Sequence, residues 1–217
     1  MKWNYGSALL GAALLLGTVA PAAMAADVDL APLEKPVLIA AQEDEACSRE
    51  SFVQSLWELC GKPAAQKDAP TFTDVAADRS SAEAIRWAAD CGLTSGYQDG
   101  TFRPEAPLSR QQMAVMIYRT AQKVGMGFQD AWMFPLNFED AKDVGQWASE
   151  AMHWVVASHV LEGKDNRLLP NETATRGVTE KALEQFAACA KEKNVDLSTI
   201  SPKELCDGLP LVPAEKT

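Results

Sequence analysis

Three arginines occupy a position that local electrostatics disfavours. Arg49, Arg110 and Arg176 directly follow Ser48, Ser109 and Thr175, and each pair opens an apolar-periodic run. The arginine therefore falls in the first turn of a predicted helix, at the positive end of the dipole, where a cation is unwelcome. Departures from local rules of this kind concentrate at functional sites. A guanidinium fork beside the free N–H groups of a helix start could hold a carboxylate. A second reading stands beside it: each arginine pairs internally with Asp74 or Asp140 of a neighbouring segment. Those two aspartates follow Phe72 and Phe138 by two residues and precede predicted helices, which favours capping or turn formation.

These residues belong to a recurring unit. Phe72-Thr73-Asp74 returns as Phe138-Glu139-Asp140, 66 residues later. Ala82 to Ala88 returns as Ser149 to Val155, and Gly96 as Gly163, at an offset of 67. Pro104 and Pro170, like Arg110 and Arg176, return to 66, so one residue is inserted near Gly145 and one removed in the turn after Gly163. Each unit reads as helix, turn-rich loop and capped helix. Ala82, Ile85, Ala88 and Ala89 with Trp87 give an amphipathic stretch ending at Gly92. Ser109 with Gln112 is a capping-box pattern, and Thr175 holds the same place in the second unit. Ser48-Arg49-Glu50 followed by Phe52, Val53, Leu56 and Leu59 repeats only the capped helix.

The expected boundaries are a signal peptide over 1–25, a linker over 26–44, a partial repeat over 45–65, repeats over 69–125 and 135–190, and a tail over 191–217 with a short helix from Ser201. Lys2, the apolar run Ser7 to Val19 and Ala23-Met24-Ala25 form an export signal. The run is too short to span a membrane comfortably, so no membrane insertion is expected after cleavage. The tail helix, or Val37 to Ala41, is expected to cover apolar surface that a missing half-unit would bury.

Of 217 residues, 30 are acidic and 20 basic, a net charge of −10 that argues against nucleic acid as a partner. Five cysteines leave at least one free or paired between molecules. Cys47 and Cys60 flank a predicted helix and cannot pair across it, whereas Cys189 and Cys206 could meet if the tail folds back. No CxxC spacing occurs and no Cys adjoins His153 or His159, so neither a metal site nor a cofactor is expected. No nucleophile elbow, phosphate loop or dinucleotide fingerprint appears, and the length is taken up by repeats, so the chain does not read as an enzyme.

The ordered set Phe-x-Asp, Ala-x-x-Trp-Ala, Gly-Tyr-x-Asp-Gly-Thr-Phe-x-Pro and Ser-Arg resembles the S-layer homology (SLH) motif. The match is close over Phe72 to Thr120, looser over Phe138 to Ala188 and partial over Cys47 to Pro63. The resemblance implies an all-α, pseudo-threefold helical repeat domain with its first unit incomplete. It also implies a secreted protein held non-covalently to the cell wall through an anionic secondary cell-wall polymer, such as a pyruvylated glycan. The site it implies comprises Arg49, Arg110 and Arg176, with Asp74, Asp140, Trp87, Trp154, Gly96 and Gly163 around them. For the aspartates sugar-hydroxyl contact is the secondary role. The tryptophans could face a sugar ring, although their place on an apolar face favours the core. The glycines permit a positive φ or a close backbone approach.

Departures from the motif bear on the site. The fourth-position Glu of Thr-Arg-Ala-Glu is absent from all three copies, and Gly-Tyr becomes Gly163-Lys164, with Asp165-Asn166 at the turn. Lys164 either adds a cation to an anion site or is an ordinary exposed residue, and the second unit's groove could bind differently or not at all. The alternatives to wall-polymer anchoring are an SLH-like module for another exported protein or for peptidoglycan, and, third, a wall-glycan hydrolase.

Overall fold

The computed structural model describes residues 45–128 and 134–198. The signal peptide, the linker with Val37 to Ala41, and the helix expected from Ser201 lie outside the described residues. Five α-helices and no strand are found among the described residues: α1 (Arg49–Leu59), α2 (Ala82–Asp90), α3 (Arg110–Lys123), α4 (Ser149–Ala157) and α5 (Arg176–Glu192). None is long and apolar enough to cross a membrane.

The three capped helices start as their sequences direct. Ser48, Ser109 and Thr175 hold extended backbone, and each hydroxyl accepts the N–H of the residue three further on. At α3 the Gln112 side chain closes the reciprocal bond to the Ser109 N–H at 3.0 Å, completing the capping box. α2 ends where Gly92 turns left-handed at φ 67°; in the second unit His159 takes that conformation at φ 56°.

The segments leading into these helices meet in a closed ring. The Cys47 N–H donates to Ala174 O at 2.9 Å, the Ala174 N–H to Leu108 O at 2.8 Å, and the Leu108 N–H to Cys47 O at 3.0 Å. One step on, the N–H groups of Arg49, Arg110 and Arg176 donate to the carbonyls of Ala106, Glu172 and Glu45 at 3.0, 3.0 and 2.7 Å. Around this hub α1 packs on α2, α3 packs on α4, and α5 touches both α1 and α3. Trp87, Phe52, Phe102, Phe186, Ile85 and Met113 fill the interior. Truncating an aromatic of this kind typically costs about 3–5 kcal/mol.

The cysteines correct one expectation. Cys189 is free, so it does not pair with Cys206; Cys47 and Cys60 are also free, at either end of α1. Cys91 is disulfide-bonded. Burial pushes the Cys60 thiol up to about 12, which keeps it protonated and unreactive.

Candidate functional site

The arginines and aspartates act on a shared piece of backbone rather than on each other. Asp74 lies 28 residues before Phe102, and its carboxylate accepts the N–H groups of Phe102 and Arg103 at 2.8 and 2.7 Å. From the other side, Arg49 Nε donates to Phe102 O at 3.0 Å. The second unit repeats this bond for bond: Asp140 accepts from Leu168 and Leu169 at 2.7 and 2.8 Å, and Arg110 Nε donates to Leu168 O at 2.8 Å. The arginine of one capped helix therefore grips the loop of the following unit while the aspartate clamps that loop from within. This corrects two expectations. The Asp140 side chain makes no helix-capping bond, and neither pair of arginine and aspartate meets directly. Proximity in sequence suggested the helix start, whereas the backbone donors come from the loop.

The first-turn N–H groups are also already engaged. In α1 the Arg49 and Glu50 N–H groups donate to Ala106 O and Pro104 O; in α3 those of Arg110 and Gln111 donate to Glu172 O and Pro170 O. The cradle of free helix N–H groups expected for a carboxylate is absent there, because backbone carbonyls of the adjoining unit fill it.

The three guanidinium groups differ sharply in access. Arg49 is fully buried, its Cζ 5.0 Å from the Tyr97 ring centroid and 4.8 Å from that of Phe102, and Nη2 reaches Thr94 Oγ1 at 3.4 Å. It has no face open to a ligand, so its expected contact role gives way to holding the loop. Arg176 is 45% exposed and pairs with Glu45 at 3.4 Å. Arg110 lies between these extremes: 7% exposed, it lines a groove of about 340 Å³ with His159, Lys164, Lys181, Glu162 and Glu172. Its Nη2 donates to Glu162 O at 2.9 Å. With Nε also engaged, donors of its five-fold set remain for another acceptor. Burial lowers its pKa while Glu172 and Asp140 oppose the shift; an arginine stays charged regardless. Lys181 bonds Glu162 at 2.6 Å and holds that carboxyl below its usual range.

Trp87 and Trp154 are core residues. Trp87 is inaccessible, and Trp154, 4% exposed, donates its indole N–H to Met126 O at 3.0 Å and lies 5.6 Å from Tyr118 and 6.2 Å from Phe186 between ring centroids. Neither offers a sugar platform. A Cβ on Gly96 would fall 2.4 Å from the Phe72 ring, and one on Gly163 2.4 Å from the Phe138 ring; only Gly96 adds a positive φ, +65°. Sequence reasoning overlooked Tyr97 as a cover for Arg49, and Lys181 and Glu162 as groove walls. The exchange of Tyr97 for Lys164 was the visible signal for the first, while Lys181 carried no mark beyond its place in the second turn of α5.

The S-layer homology domain matches residues 71–114 and 137–177. Each matched segment runs from the Phe-x-Asp clamp to the capped arginine, so both contain a complete aspartate, tryptophan, glycine and arginine set. Two segments of the chain, together less than half of its length, are therefore similar to the S-layer homology domain. The chain is 27% identical to the cellulosome-anchoring protein of Acetivibrio thermocellus over 117 residues, 54% of this chain and 24% of that protein. It is 33% identical to the outer membrane protein SlpA of Thermus thermophilus over 123 residues, 56% of this chain and 12% of that protein. The chain thus matches a quarter or less of either relative's length.

Proposed function

We propose that this chain attaches non-covalently to the cell envelope by holding an acidic group of a cell-wall polysaccharide, and that it works by binding rather than catalysis. The observation that carries this reading is the groove of about 340 Å³ lined by Arg110, Lys164 and Lys181, the last bonded to Glu162. A net charge of −10 disfavours long-range attraction to an anionic polymer, so capture depends on such a local cluster, effective within about a Debye length of roughly 8–10 Å. A sugar carboxylate, as in a pyruvate ketal, fits that charge pattern and the fork geometry of arginine.

The same reading takes residues 45–65, 69–125 and 135–190 as three units about a pseudo-threefold axis, the first reduced to its capped helix. The closed ring through Cys47, Leu108 and Ala174 supports it, since each residue stands two before its arginine and donates to its neighbour. A protein partner is the second reading; exposed Phe134 and Trp147, 37% and 46% accessible, supply apolar surface for it.

Co-sedimentation of the purified chain with cell-wall sacculi, before and after removal of their secondary polymer, separates the two. Polymer anchoring predicts retention that disappears with the polymer. It also predicts weaker retention of Arg110→Ala at unchanged helical content. Retention that ignores polymer removal would instead point to peptidoglycan or a protein.

A further inference from the structure

We propose that residue 164 and its counterpart 97 decide which inter-unit groove is open, so that Lys164 makes the second-unit groove the one acid-accepting site among the described residues while Tyr97 closes the first. The inference rests on the anchoring reading and specifies its valency.

The two junctions share their backbone framework, so their difference lies in side chains. At the first, three groups of the gripped loop occupy the space around the Arg49 guanidinium: Tyr97, Phe102 and Thr94. Tyr97 is itself weighted down, because the Arg103 guanidinium lies 3.9 Å from its ring centroid and is tied to Asp99 at 3.1 Å. A ligand would have to displace these cation–π contacts together with two aromatic rings.

At the second junction the aligned residues are Lys164, Leu168, Leu169 and Leu161 for Tyr97, Phe102, Arg103 and Thr94. None of these four positions offers the guanidinium a ring or hydroxyl. Lys164 is exposed on a shorter turn, Lys164 and Arg167 exchanging N–H···O bonds of 2.8 and 2.9 Å around Asp165 and Asn166, both at positive φ. The outcome is an accessible groove with Lys164 at its edge and Arg110 in its wall. At the third position Arg176 pairs with Glu45 at the surface, and no loop equivalent to 94–103 or 161–169 lies over it among the described residues.

Titration calorimetry with a synthetic hexosamine glycoside bearing one pyruvate ketal, against its ketal-free counterpart, tests this on the whole chain. The expected result is one equivalent bound, dependent on the ketal. Lys164→Tyr should weaken binding by about tenfold or more with no fall in the thermal midpoint. The paired variant Tyr97→Lys with Phe102→Leu, which installs the second unit's residues in the first, should bind two equivalents. Two equivalents on the unaltered chain, or undiminished binding by Lys164→Tyr, would overturn the proposal while leaving anchoring intact. No binding by the unaltered chain would overturn both. Should the paired variant fail to fold, Lys164→Tyr alone decides.

Discussion

At the scale of single residues, the aspartates and arginines matter because the groups they satisfy are backbone groups of the inter-helix loops. Asp140 is 3% exposed and accepts two N–H groups. Burial pushes its carboxyl pKa up, but the Leu168 and Leu169 N–H groups outweigh that, and the balance lies below the usual aspartate range. Replacing Asp140 with Ala strands two partly or fully buried donors, at about 1–3 kcal/mol each. The thermal midpoint should fall by several degrees, and the 163–169 loop should become more susceptible to proteolysis. Loss of the midpoint without loop cleavage would show that the clamp is not what orders the loop. Arg49 belongs to the same category, since its charge is spent on Phe102 O and two aromatic rings. The placement of all three arginines was legible in the sequence as an electrostatic anomaly. The resolution of that anomaly was not, because it depends on carbonyls 54 to 62 residues away filling the starts of α1 and α3, and no local rule reports those.

At the scale of elements, the helix–loop–helix units, their caps and the drift between offsets of 66 and 67 were readable from apolar period and turn residues. The missing residue after Gly163 appears as a tighter turn: the Tyr97 N–H donates to Thr101 O across Gln98-Asp99-Gly100, whereas the Lys164 N–H donates to Arg167 O across Asp165-Asn166 alone. Asx residues tolerate the left-handed conformation that both positions of this two-residue turn require. What the pattern left open was whether an aromatic or a lysine at that point closes or opens a groove, which is a matter of packing volume over a distant arginine. The two glycines supply the test of how firmly each loop is seated. Both oppose a phenylalanine ring, but only Gly96 also has φ +65°. Gly96→Ala should therefore destabilise more than Gly163→Ala, by about 1 kcal/mol for the left-handed backbone alone, as measured by denaturant midpoints at equal slope. Equal losses would mean that the ring contact, common to both, accounts for the whole effect.

At the scale of the whole molecule, acidity works in two opposed directions. The chain carries 30 carboxylate side chains against 20 cations, and this excess repels itself in the compact state at neutral pH. Mild acid relieves that repulsion, and so does salt. A subset of carboxylates behaves otherwise because the fold stabilises their charged form. Arg79 donates to both oxygens of Glu50 at 2.7 Å and, chiefly through those bonds, holds its pKa down. Thr101, with Arg103, pulls Asp99 to about 2, and the loop N–H groups lower Asp140. Each of these has a folded pKa below its unfolded one, so its contribution is complete above the ordinary carboxylate value near 4 and disappears as pH falls through the lower folded value. The thermal midpoint should consequently rise slightly from pH 7 to about 5, then drop below about 4. Added salt should raise the midpoint at pH 7 and do little near pH 5. Glu50→Gln removes one depressed carboxylate that joins α1 to the segment before α2. It should cost about 1–3 kcal/mol at pH 7 and flatten the acid limb. A Glu50→Gln variant as acid-sensitive as the parent would assign that limb to other groups, with Asp140 the next to replace.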